Sequence, residues 1–127
     1  MPEPVQSVFT NYLNIQTALA GDSLQGVRDS AAAIVNFIRA DATGTFPFEV
    51  ARAAEDLART TSLTTGRQVF KRLSGTLIKY LDAHKEQAGP LVKAFCPMAN
   101  VMWLQTGSVV NNPYMGKEMV HCGNIQS

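Results

Sequence analysis

Apolar positions recur in steps of three and four over the first two-thirds of this chain. Val5, Val8, Phe9, Tyr12, Ile15 and Leu19 fall on one face of a helix. Gly21-Asp22-Ser23 breaks the run, and Asp22 or Ser23 is placed to cap the next helix by accepting from its free N–H groups. The second stretch uses Leu24, Val27, Ala31, Ile34, Val35 and Ile38 and ends near Asp41. Thr43-Gly44-Thr45 with Pro47 then marks a loop. The third stretch is short, with Val50, Ala53, Ala54, Leu57 and Ala58 facing inward. The fourth is the longest, with Leu63, Phe70, Leu73, Leu77, Tyr80, Leu81 and His84 at helical spacing. Gly66 and Gly75 lower its helix propensity by about 1 kcal/mol each relative to Ala. Glycine there would let another helix come close. Gly89-Pro90 stops the fourth helix.

Four amphipathic helices joined by short loops predict an all-α fold, an up-and-down antiparallel four-helix bundle with an irregular C-terminal tail packed at one end. Residues 3–88 form the bundle and residues 89–127 the tail of the same single domain, in keeping with a length of 127 residues. The tail carries Pro97, Gly107, Asn111, Asn112, Pro113, Gly116 and Gly123, all turn formers. The one regular element expected in it is a short helix near residues 99–106, with Val101 and Leu104 turned inward.

Composition narrows the classes of function. Apolar residues make up 46% of the chain and charged residues 17%, which suits a globular domain and not a disordered one. The net charge is +1 and no run of Lys or Arg occurs, so no nucleic-acid partner is expected. No apolar stretch approaches the roughly 18–20 residues that would span a bilayer, so no membrane insertion of this segment is expected. The start, Met-Pro-Glu-Pro, is not a basic-then-apolar leader. That fits either a cytosolic protein or one whose leader has been removed. No helix carries a Glu-x-x-His pattern of the di-iron kind, and His84 reads as a capping or partly buried residue at a helix end.

The chemistry lies in the sulfur. Apart from Met1, every methionine is in the tail, as Met98, Met102, Met115 and Met119. Cys96 and Cys122 lie there too, as does His121, whereas the only formally charged side chains after Pro90 are Lys93, Lys117 and Glu118. Thiolates and thioethers are soft donors suited to Cu(I) or Ag(I), and a segment so poor in carboxylates does not suit Mg²⁺ or Ca²⁺. Two linear groups can be drawn, Cys96-Pro97-Met98 and Met119-Val120-His121-Cys122. If the tail folds back so that they meet, a site of two thiolates and one or two thioethers results. His121 and Met102 rank behind these sulfurs as ligands. Trp103 either shields a bound ion with its indole face or closes the end of the bundle, and Met115 reads as packing. Two cysteines 26 positions apart do not make a zinc finger. They could equally form a disulfide, worth roughly 3–4 kcal/mol in the chain-entropy model. Catalysis is not expected. His121 adjoins Cys122, but no nucleophile–base–orienter set and no Gly-rich phosphate loop is visible.

The tail reads Cys96-Pro97-Met98-Ala99, then Trp103-Leu104, then Asn112-Pro113-Tyr114-Met115-Gly116-Lys117-Glu118-Met119-Val120-His121-Cys122-Gly123. In that order it resembles a small domain of unknown function in bacterial periplasmic proteins, which also occurs fused to heavy-metal efflux adaptors of the CusB type. The resemblance implies a periplasmic helical bundle, its signal peptide removed, tied to copper or silver handling. Its partner would be an efflux adaptor or another copper-handling protein. The alternative function is an interaction module docked onto such an adaptor, stapled by a Cys96–Cys122 disulfide and without its own metal site. The chain departs from the family pattern in having Phe95 where His often precedes the Cys-Pro-Met, in placing His121 before Cys122, and in the short step from Ala99 to Trp103.

Overall fold

The computed structural model describes residues 1–126, and Ser127, the last residue of the expected tail, lies outside them. Four helices follow the predicted order: α1 Val5–Ala20, α2 Val27–Ala40, α3 Phe48–Ala58 and α4 Leu63–Ala83. Most of their buried positions are the apolar ones read from spacing, from Val5, Phe9, Tyr12 and Leu19 on α1 to Phe70, Leu73 and Leu77 on α4; Gln16, Gly66 and Ser74 are buried with them. Ser62 caps α4, its hydroxyl accepting from the Thr65 amide at 3.1 Å. The start of α2 differs from expectation. It begins behind Gly26, which has a φ of 85° and brings no side-chain cap. Asp22 is engaged elsewhere, its carboxylate accepting from Arg67 at 2.6 Å and from the Lys117 amide at 3.2 Å.

The all-α expectation is wrong. Residues 91–106 form a β-hairpin, β1 Leu91–Cys96 and β2 Val101–Thr106, and a short β3, Asn124–Ile125, joins β1. The sheet is antiparallel throughout with order β2-β1-β3, so the fold is mixed α/β. The short helix expected near 99–106 is therefore strand β2. Val101 and Leu104 are three apart and read as one helical face. In a run of six apolar-rich residues, however, period and length cannot separate helix from strand. The β-branched and aromatic content of Val-Met-Trp-Leu-Gln-Thr, bounded by Asn100 and Gly107, decides for strand.

The sheet completes the helical core. Each helix packs mainly on the next in sequence, whereas β2 lies along α4. Tyr12 of α1 stacks on Phe70 of α4 with ring centroids 4.8 Å apart, which bridges the first and last helices. Leu91, Ala94, Cys96, Val101, Trp103 and Leu104 belong to the same buried cluster as the helix faces, and Trp103 is the largest fully buried side chain. The free edge of β2 meets hydroxyls where another strand could have paired. The Leu104 amide donates to the Tyr12 oxygen at 3.0 Å, and the Tyr114 hydroxyl reaches the Met102 carbonyl at 3.4 Å. A buried edge must satisfy its backbone groups in some way. The two glycines of α4 do not admit a neighbouring helix backbone. A Cβ at Gly66 would make only ordinary contact with Thr60 and Leu19, and one at Gly75 would meet nothing within 4 Å. No helix among the described residues is long and apolar enough to cross a membrane.

Candidate metal centre

The two cysteines meet because the hairpin and β3 place them at the same end of β1. Cys96 is the last residue of β1 and pairs with Val101, so residues 97–100 form a four-residue connection. Pro97 stiffens this turn, and Asn100 closes it with a φ of 53°, a left-handed conformation that Asn tolerates. The turn folds the Ala99 amide back onto the Cys96 sulfur at 3.3 Å. Cys96 itself is fully buried.

Cys122 arrives by a second turn. A 3₁₀ segment at Lys117–Met119 leads into it, and the Cys122 amide donates to the Met119 carbonyl at 3.0 Å. Asn112, also fully buried, fastens this turn from behind. Its side-chain amide donates to the Cys122 carbonyl at 2.7 Å and its side-chain oxygen accepts from the Tyr114 amide at 2.8 Å. The Asn112 backbone amide donates to Val120 O at 2.7 Å. Gly123 then lets the chain descend onto β1. A Cβ there would lie 2.7 Å from the Phe95 carbonyl oxygen and 3.2 Å from the Trp103 ring. Only a residue without one can approach so closely.

The outcome is a pair of neighbouring free thiols, Cys96 buried and Cys122 half-buried. The Cys122 pKa is raised above its ordinary value, first by desolvation, then by the adjacent Cys96 sulfur and a hydrogen bond with it. Met98 stands at the tip of the hairpin, 67% exposed, and Met119 lies on the second turn, 41% exposed. Each thioether is thus carried on the same turn as one thiol, at the rim.

The other candidates are placed differently. Met102 pairs with Phe95, one position from the Cys96–Val101 pair, so alternation puts its side chain on the sheet face opposite Cys96. Trp103 shares the Cys96 face, but its indole N–H donates to Gln105 at 3.0 Å and its ring meets Tyr114 edge-on at 6.0 Å. His121 is exposed, with Nδ1 2.8 Å from the Val110 carbonyl oxygen. That bond makes Nδ1 the protonated nitrogen and leaves the lone pair on Nε2. Met115 packs against the core.

The residues that hold the second turn in place were not singled out from sequence. Gln105, fully buried, takes the Trp103 indole and the Asn111 amide on its oxygen and donates to Val109 O at 2.7 Å. Gln16 of α1 donates to Asn111 O at 2.6 Å. Arg67 of α4 donates to Pro113 O at 2.8 Å and to Leu19 O at 2.7 Å. A glutamine inside an apolar strand and one on the apolar face of a helix were the available signals. Both are polar groups that need partners when buried.

The donor set discriminates among ions. Among the described residues no group of three or more His, Cys, Asp or Glu side chains is placed to hold a metal ion. Two adjacent thiols with thioethers on the flanking turns fit a soft monovalent ion. No family model, no curated protein and no solved structure matches this chain.

Proposed function

We propose that this chain binds one soft monovalent ion, Cu(I) or Ag(I), through the thiolates of Cys96 and Cys122, and that it serves periplasmic copper handling or efflux. The observation that carries the reading is the convergence of these two cysteines, 26 positions apart in sequence, as neighbouring free thiols. Three features support it. The Ala99 amide donates to the Cys96 sulfur, both flanking turns carry a methionine, and the tail after Pro90 holds a single carboxylate side chain, Glu118, where a harder ion wants several. The rim position of Met98 and Met119 suits transfer of the ion to another protein. The tail's resemblance to a periplasmic family tied to heavy-metal efflux supports the setting and the kind of partner, an efflux adaptor or other copper-handling protein.

The test is competition with a colorimetric Cu(I) chelator. Reduced protein should withdraw about one equivalent of Cu(I) from the chelator. Cys96→Ser and Cys122→Ser should each abolish the competition, and Met98→Leu with Met119→Leu should weaken it. Absence of competition by the wild-type protein would sink the proposal.

The same juxtaposition supports a second reading, a disulfide-stapled interaction module. The burial of Cys96 favours it, because a staple needs no access to solvent. Thiol counting on denatured protein purified without reductant separates the two. No free thiols would support the staple, and two would support the metal site.

A further inference from the structure

A second surface feature lies on the helices and uses none of the tail. A groove of about 600 Å³ runs between α3 and α4, lined by Phe48, Arg52, Lys71, Gly75 and Lys79 among others. Lys71, Gly75 and Lys79 are four residues apart and so form one stripe along α4, with the lysines roughly 12 Å apart along the axis. Gly75 makes a notch midway between them, since nothing lies within 4 Å of where its Cβ would be. Phe48, on the first turn of α3, borders the groove and is 65% exposed. Four of the chain's eleven cationic side chains, Arg52, Lys71, Arg72 and Lys79, stand around this notch, against one carboxylate at the rim, Glu49. Arg72 is paired with Asp56 at 2.8 Å, while Arg52, Lys71 and Lys79 have no ion-pair partner among the described residues.

We propose that this groove docks an acidic amphipathic helix of a protein partner, which inserts an apolar side chain over Gly75 beside Phe48 and sets carboxylates one turn before and after it against Lys71 and Lys79. On a chain of net charge +1, three cations without an ion-pair partner among the described residues, Arg52, Lys71 and Lys79, stand around an apolar notch, and Lys71, Gly75 and Lys79 follow the i, i+4, i+8 spacing of a helix. A helix lying in a groove presents its anchors at that spacing.

The probe is a capped, fluorescently labelled helical peptide with Glu, Leu and Glu at successive fourth positions, titrated with the full chain and followed by anisotropy. The wild-type chain should bind it, and a peptide with Lys in place of both Glu should bind at least about tenfold more weakly. Gly75→Leu puts a side chain into the notch from a Cβ that would meet nothing within 4 Å, so the variant should keep its helical circular dichroism and lose binding by about tenfold or more. Lys71→Glu with Lys79→Glu should reverse the preference and take the Lys peptide instead. Failure of the wild-type chain to bind the Glu peptide, or binding indifferent to Gly75→Leu, would overturn the proposal. So would sedimentation of the chain with phosphatidylserine vesicles in the absence of any peptide binding, which would make the basic rim a lipid-facing surface.

Discussion

Gly123→Ala is the substitution that acts most directly on how the two thiols are brought together. The added Cβ would sit 2.7 Å from the Phe95 carbonyl oxygen, a backbone atom of the central strand that cannot swing aside. Gly123 also has a φ of 133°, a conformation that L side chains rarely adopt. Backbone strain of this kind costs on the order of 1–3 kcal/mol, and forcing a methyl into a closed contact costs about 1–3 kcal/mol more. The chain can relieve part of this by lifting the 122–124 segment off β1, so a net loss of about 2–4 kcal/mol is expected. Trp103 is the only tryptophan, is fully buried, and lies under this contact, so its emission reports unfolding. In urea the midpoint should fall by roughly 1–3 M. Lifting the segment also takes Cys122 away from Cys96. The thiol then loses the burial and the neighbouring sulfur that raise its pKa. At neutral pH it should react faster with a disulfide reagent, because a larger fraction is thiolate. A midpoint shifted by less than about 0.3 M, together with unchanged thiol reactivity, would refute this account of how the second turn is seated.

The other predictions concern the polar contacts that join tail to helices. Tyr12→Phe leaves the buried Leu104 amide and Ser74 hydroxyl short of a partner and should cost about 1–3 kcal/mol in urea unfolding, whereas Tyr114→Phe, whose bonds are 3.3 and 3.4 Å, should cost less. Burial holds the phenols of Tyr12 and Tyr114 protonated well above the ordinary value of 10.0. The unfolded chain therefore sheds protons that the folded chain keeps, and stability should fall as pH rises past 10, by about 1.4 kcal/mol per unit per phenol. A denaturation midpoint flat between pH 9 and pH 11 would contradict this. The carboxyl of Asp41 should titrate near its pKa of about 2, because the Thr43 hydroxyl and the Thr45 amide donate to it; an NMR midpoint near the ordinary 3.8 would show that this loop does not hold. Arg67→Lys cannot reproduce a guanidinium that reaches Leu19 O, Pro113 O and Asp22 at once, and should cost about 1–3 kcal/mol rather than behave as conservative.

The helices were legible in sequence because each buries one continuous stripe, and the stripe of α1 or α4 repeats often enough to fix its period. The sheet was not, for a physical reason. β1 and β2 are six residues each, and in β2 Trp103, Leu104 and Gln105 are all buried in succession. Strict alternation of apolar and polar residues, the usual mark of a strand, is absent from such a run. Leu104 and Gln105 are buried by different partners: Tyr12 at the strand edge, and the 109–111 loop around the glutamine. For the site, the residue types in Cys-Pro-Met and Met-x-x-Cys point to soft-donor chemistry. That the two groups share one end of a strand depends on β3, two residues long and preceded by Gly123, which no local pattern announces. Met102 shows the converse. A ligand candidate ranked behind the other sulfurs, it is turned by strand alternation to the other face of the sheet from Cys96.

The central claim is that Cys96 and Cys122 together bind a soft ion. The most direct measurement is copper K-edge absorption fine structure on reduced protein loaded with one equivalent of Cu(I). The account predicts a shell of two or more sulfur scatterers in the wild-type protein, and loss of sulfur from that shell in Cys122→Ser. A shell of nitrogen and oxygen alone, or a sulfur shell unchanged by Cys122→Ser, would contradict it.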